Sequence, residues 1–154
     1  MIKANVITKN FSWYRYIKNP NSYIDRKIKK LNNKNKKLKK SIYFTLLLSG
    51  EKEIKNLNRK FRNKNKETDV LSFPFYTKKE LQKRLINEKE IYLGDIIINL
   101  NKINDKKKLK NFKSEFNNLW IHGLVHLFGH DHKKEKDFLE MKRIEKKYSS
   151  FIND

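Results

Sequence analysis

The sequence predicts an α/β (α+β) protein: a mixed sheet of about four strands packed by about four to five helices, in a single domain over residues 1–154. Three observations carry this. Four runs of strand length are rich in Ile, Val, Leu and aromatic residues, and stretches with apolar residues at helical spacing separate most of them. No internal repeat interrupts the pattern, and no connection is long enough to divide the chain.

Residues 1–9 alternate weakly through Ile2, Ala4 and Val6 and form the first strand. Phe11 to Tyr16 is aromatic and reads as a lid over the core. From Ser22 to Lys40, Ile24, Ile28, Leu31 and Leu38 share one helical stripe, and the remaining face is almost solid Lys and Asn. That charge run is most simply a solvated helix face, with RNA contact as the alternative. Ser41 to Ser49 is apolar at alternate and intervening positions, which suits a central strand covered on both sides.

After Gly50, Glu51 and Glu53 occupy a first helical turn, where acids complement the helix dipole. Ile54, Leu57 and Phe61 give that helix a buried stripe, and its far end carries Asn58, Arg59 and Arg62. Thr68 to Phe75 is a third strand, stopped or held at an edge by Pro74. A polar connection to about Glu90 reads as loop or a short helical turn. Ile91 to Leu100 is the fourth strand, around Gly94-Asp95. A long helix over 102–128 points Ile103, Leu109, Phe112, Phe116, Leu119, Trp120 and Leu124 inward, and Lys133 to Ser149 makes a last amphipathic helix through Phe138, Met141, Ile144 and Tyr148.

The chain has no cysteine, which excludes disulfides and thiolate metal sites and fits a reducing, cytoplasmic setting. The longest apolar run, Ile42 to Leu48, is too short to span a membrane, and the N-terminus lacks the layout of a signal peptide. Formal net charge is +21. Of the 38 basic residues only Arg15, Arg26, Arg59, Arg62, Arg84 and Arg143 are arginines, and Ala4 is the one alanine. Such usage follows AT-rich codons, so the charge permits an RNA partner without demonstrating one.

All four histidines fall within His122-Gly123-Leu124-Val125-His126-Leu127-Phe128-Gly129-His130-Asp131-His132. On a helix, His122 and His126 point the same way. Gly129 can end the helix in a left-handed turn, which brings His132 in from a third direction. Three imidazoles with one position open are the donor set of a catalytic zinc, although such a set also suits Fe, Ni or Cu. The H-x3-H-x5-H spacing matches the metzincin proteases, but their general base, a Glu after the first His, is here Gly123. His130 reads as lying beside the site, and Asp131 as either a partner for a ligating imidazole or a turn former.

The histidine stretch, together with Leu57-Asn58 through Phe61-Arg62, Thr68-Asp69-Val70-Leu71-Ser72-Phe73-Pro74 and Leu93-Gly94-Asp95-Ile96, resembles the signature blocks of the YbeY family. Those proteins are bacterial rRNA-maturation endoribonucleases, and the resemblance runs over essentially the full length. It departs at Val125, His130 and Glu67, where the family more often has Leu, Tyr and Pro.

The resemblance implies a zinc-dependent, single-strand-specific endoribonuclease of rRNA precursors and the ribosome. Its action would be above all at the 3′ end of small-subunit rRNA and in clearing defective ribosomes. It implies one zinc per chain on His122, His126 and His132, and Arg62 as the functional arginine of the cleft. Arg59 is a weaker candidate for positioning RNA, and Asp69 and Asp95 are candidates to orient loops or ligands. Two other readings compete: a further zinc hydrolase with metzincin-like spacing, and a non-catalytic, zinc-stabilised ribosome- or RNA-binding protein.

Overall fold

Four β-strands form one sheet in the computed structural model, which describes residues 1–36, 39–64 and 67–153. They are β1 (Ile2–Thr8), β2 (Ser41–Ser49), β3 (Val70–Pro74) and β4 (Glu90–Asn99), in the order β1-β2-β4-β3. The first, second and fourth run parallel, and β3 pairs antiparallel to β4 at one edge. Among the described residues five α-helices accompany them: α1 (Pro20–Lys34), α2 (Glu51–Arg62), α3 (Lys78–Asn87), α4 (Leu109–Leu127) and α5 (Glu135–Asn153). The expected mixed sheet of four strands with helices is the one found.

Alternation along the strands sends Ile42, Phe44, Leu46 and Leu48 of β2, and Ile91, Leu93, Ile96 and Ile98 of β4, into one core. There they meet Ile24, Ile28 and Leu31 of α1 and Phe112, Phe116, Trp120 and Leu124 of α4. Each such side chain contributes about 1.5–3 kcal/mol by leaving water. The opposite face is covered only in part, where Ile54 of α2 packs on Leu71 and Ile97. Tyr43 and Leu47 on that side stay half-buried. Thus β2 is central but fully covered on one face only, because a single helix spans the other.

The aromatic stretch is no lid. Phe11–Arg15 forms a short 3-10 helix that drops Trp13 into the core at 0 % exposure, its indole N–H donating to the Ser49 carbonyl at 2.9 Å. Phe11 is left 78 % exposed. The first helix ends at Lys34, earlier than Lys40, within an Asn-rich run of poor helix formers. Asn32 there turns from helix to sheet: its side chain accepts from Ile2 N–H at 2.8 Å and donates to Ile2 C=O at 2.9 Å. Leu38, expected on the stripe, lies outside the described residues.

On α2 the buried stripe is Ile54 with half-buried Leu57, whereas Phe61 is 60 % exposed, meeting the Phe73 ring on edge strand β3 at 5.6 Å. The third strand is shorter than Thr68–Phe75. The connection expected as loop or a short helical turn holds the ten-residue α3, begun by a capping box in which Thr77 and Glu80 satisfy each other's backbone N–H. The long helix starts at Leu109 rather than 102. Ile103 is buried in the preceding connection, and Leu109 is exposed at the first turn. The last helix runs on to Asn153, with Phe138 near its start left partly exposed.

Candidate metal centre

The second half of α4 is deeply packed, and it carries two of the histidines. Trp120, Ile121, Leu124 and Val125 are all fully buried, so the faces between them are fixed. Gly123 sets how closely the helix lies: a Cβ built there would stand 2.6 Å from Cγ2 of Ile96 on β4. Any side chain at that position would therefore be aimed at the sheet. His122 and His126, one turn apart, are half-buried and line the cleft beside it.

The helix stops at Leu127. Gly129 takes φ +92°, and its N–H donates to the His126 carbonyl at 2.9 Å, which reverses the chain as a left-handed cap does. The return brings His132 against the first two. Ring centroids lie 4.6 Å apart for His122–His126, 5.0 Å for His126–His132 and 5.8 Å for His122–His132. One ring nitrogen from each can be chosen so that all three lie within 4.8 Å of one another.

Two of the rings are oriented from behind. Nδ1 of His122 lies 2.6 Å from Oε1 of Glu145 on α5, and Nδ1 of His126 lies 2.9 Å from the His130 carbonyl oxygen. With Nδ1 engaged as a donor, Nε2 of each ring is the free, unprotonated atom, which is the form a metal binds. Glu145 is also held by Lys142 at 3.0 Å. Burial alone would raise the Glu145 pKa, but the hydrogen bonds from His122 and Lys142 outweigh it and hold the carboxyl below its ordinary value. Burial lowers the pKa of His126, aided by the neighbouring His122, and burial also lowers that of His130. Both shifts favour the neutral imidazole. The residues present fit a divalent metal of the borderline class, with three nitrogen donors on one side of an open cleft.

The cleft measures about 700 Å³ and runs between the histidine turn and edge strand β3. Arg62, Asp69, Val70, Ser72, His130 and Asp131 line it together with the three histidines. Asn63, at φ 52°, ends α2 in a left-handed cap, so Arg62 is the last helical residue and reaches across β3. Its Nη2 donates to the Ser72 carbonyl at 2.9 Å, and its guanidinium lies 5.7 Å from the Phe73 ring centroid.

The other candidates separate. Asp69 lines the cleft, with Oδ1 accepting from the Val70 N–H at 2.8 Å. Asp131 also lines it, accepting from the His132 N–H at 2.7 Å with its other oxygen 3.7 Å from Lys133. His130 contributes its carbonyl to His126. Arg59 is exposed and weakly bound to Asn56 at 3.5 Å, outside the cleft lining. Asp95 faces the partly open side of the sheet, where it accepts from the Tyr92 hydroxyl, and it too is outside the lining. Glu145 is not among the sequence candidates, since it lies 23 residues from His122 on a helix bearing several acids. Tyr76, Thr77 and Lys78, which also line the cleft with Lys78 against Gly129, belong to the connection ahead of β4 that the sequence reads as loop or a short helical turn.

The family model for "Endoribonuclease YbeY" matches residues 9–153. The protein named Endoribonuclease YbeY in Pelagibacter ubique (strain HTCC1062) is 42% identical over 154 residues, covering 99% of this chain and 97% of that one. Its namesake in Buchnera aphidicola subsp. Schizaphis graminum is 37% identical over 138 residues, covering 87% and 80%. A solution structure of a Thermotoga maritima protein superposes with a TM-score of 0.60 at 27% identity, over 99% of this chain and 89% of that one.

Proposed function

The chain belongs to the YbeY endoribonuclease family, and from that membership we propose that it is a zinc-dependent, single-strand-specific endoribonuclease of rRNA maturation. Its substrates are rRNA precursors, above all at the 3′ end of small-subunit rRNA, and its setting is the cytoplasmic ribosome, including ribosome quality control. Residues 1–154 act as one unit, with one zinc per chain on His122, His126 and His132. The observation that carries the reading is the convergence of these three imidazoles on a cleft whose opposite wall presents Arg62.

A metal held by the three rings would supply Lewis acidity and activation of water at neutral pH. The chain's own residues do the rest. Arg62 offers a planar, permanently charged fork to a phosphate, held by the Ser72 carbonyl through one nitrogen and by the Phe73 ring face. As negative charge grows on the phosphoryl oxygens, that fork stabilises it without reorienting. Glu145 and the His130 carbonyl keep the first two imidazoles turned to the cleft. Asp69 and Asp131 shape the two lips through their backbone hydrogen bonds, whereas Arg59 would act only on RNA that leaves the cleft and Asp95 would orient Tyr92 on the other side of the sheet. Gly123, pressed on Ile96, supports the choice of a phosphodiester over a peptide bond, because no base can be offered from that position.

The test is cleavage of labelled single-stranded RNA carrying the 3′ precursor of small-subunit rRNA, using metal-quantified protein. Cutting is expected to vanish on chelation, in His126→Ala with loss of metal, and in Arg62→Ala with metal retained. Salt-sensitive RNA binding without turnover by fully loaded protein would instead establish a binding protein.

A further inference from the structure

The positive charge of this chain is not spread evenly. Where α1 and the first turns of α4 meet the end of α5, a groove of about 600 Å³ is lined by Arg26, Lys27, Lys30, Lys110 and Lys113 around Tyr23. No carboxylate is among the described residues that line it, and none of the five cations forms an ion pair among the described residues. Two of them are braced rather than free. Lys27 Nζ and Lys113 Nζ each lie 5.7 Å from the Tyr23 ring centroid, and Lys27 also donates to the Ile152 carbonyl at 2.9 Å. Tyr23 is itself fixed by donating to the buried Asn117 at 3.0 Å. Burial and then the neighbouring Lys30, Arg26 and Lys113 charges lower the Lys27 pKa, as expected of a cation in an uncompensated positive field.

We infer that this groove is a second RNA-binding site, taking successive phosphates of an RNA backbone away from the cleavage cleft. Codon bias explains many lysines, but it does not explain five cations lining one groove around a fixed tyrosine with no acid among its described lining residues. Charge complementarity selects a polyanion, and the phosphodiester backbone is the one the family reading already brings to this protein. The position on α4 says how it works. Nine residues separate Lys113 from His122, which is about 14 Å along the axis and about half a turn of rotation. The groove and the metal centre therefore face different ways, and only an RNA long or folded enough to pass around α4 engages both. The groove anchors a large RNA while the cleft selects the strand that is cut.

Binding of two labelled RNAs, measured against salt, tests the inference. One is a single strand of about six nucleotides, the length of a single binding site. The other is a structured RNA several times longer. In Lys30→Gln/Lys110→Gln/Lys113→Gln the long RNA should bind at least about tenfold more weakly at low salt. The slope of log affinity against log salt should become shallower by about two, since each phosphate that is no longer neutralised removes about 0.7. The short strand should bind, and be cut, as by wild type. A control with the same charge change elsewhere, Lys52→Gln/Lys89→Gln/Lys107→Gln, should lose much less. Equal losses in both triple variants would reduce the groove to bulk charge and overturn the inference. So would selective loss of binding to acidic phospholipid vesicles with RNA binding intact. Should the first triple variant melt early, Lys30→Gln/Lys110→Gln, both exposed, gives the same readout. Because binding is read directly, a protein that cuts no RNA still tests the groove, and failure of the endoribonuclease reading stays separate.

Discussion

The Glu145 carboxylate lies 2.6 Å from Nδ1 of His122, so a helix that follows the histidine turn in sequence fixes the first histidine before it. This couples α5 to α4 at the metal centre. Replacing Glu145 by Ala should weaken metal affinity about 10- to 100-fold, the usual cost of losing such an outer hydrogen bond. Competition against a chelator of known affinity measures it, and an unchanged affinity would show that His122 needs no help in orienting.

Glu145 also sets how the fold responds to acid. Its carboxyl is held below its ordinary pKa of 4.5, so its hydrogen bonds stabilise the folded state fully above that pH. The contribution should be lost as pH falls below about 4.5 and through the depressed folded value. Glu145→Gln should flatten the dependence of the urea midpoint on pH in this acid window only.

His126 and His130 titrate in a different window. Burial lowers the pKa of His126 and of His130 beneath 6.5, so the unfolded chain binds more protons than the folded one as pH drops past that value. Stability of the metal-free protein should therefore decline from about pH 6.5 downward and level off once both folded groups are protonated. His130→Asn should reduce the decline by one proton's share. A metal-free protein equally stable across this range would contradict the neutral, buried state of these rings.

What is legible in the sequence, and what is not, follows from the range of the interactions involved. The three converging histidines are readable because one helical turn and one glycine cap place them, all within eleven residues. The capping box at Thr77 and Glu80 is equally local and announces α3, yet the polar composition of the stretch hides the helix behind it. Glu145 is not readable, since Glu135, Asp137 and Glu140 precede it on α5 and only packing decides which acid meets His122. Arg59 and Arg62 lie on one helix three residues apart, and it is the left-handed cap at Asn63 and the Ser72 carbonyl that bring the second to the cleft and leave the first in water. Phe61 follows helical spacing and is still exposed although its ring meets Phe73, because periodicity marks a face without saying how much of it a neighbour covers.

Gly123 shows why the protease base is missing. With a Cβ only 2.6 Å from Ile96 Cγ2, Gly123→Ala must push α4 away from β4 or distort Ile96. The expected cost is about 1–3 kcal/mol in urea unfolding, as for overpacking in other cores. Metal affinity should fall as well, because the helix that moves carries two of the three imidazoles. Pairing it with Ile96→Ala, which opens the space, should recover part of the metal affinity. If Gly123→Glu gave a stable protein that cleaved peptides, the argument from close packing would be lost.

Arg62 is the position at which the proposed transition-state role can be told apart from phosphate binding. Its guanidinium is anchored through Nη2 to the Ser72 carbonyl and lies over the Phe73 ring, so its remaining N–H groups are presented in a fixed plane. A lysine keeps the positive charge but has neither the fork nor the flat face. Arg62→Lys should therefore keep RNA affinity within a few-fold and retain metal at wild-type stoichiometry. Its cleavage rate should nevertheless fall about 10²- to 10³-fold, the scale seen when one preorganised donor to a developing oxyanion is removed. Phe73→Leu should lower the rate less, because the Ser72 carbonyl still positions the guanidinium. Single-turnover cleavage with RNA in excess of its dissociation constant distinguishes these cases. A loss confined to binding, with the rate at saturation unchanged, would make Arg62 a phosphate anchor rather than a catalytic group.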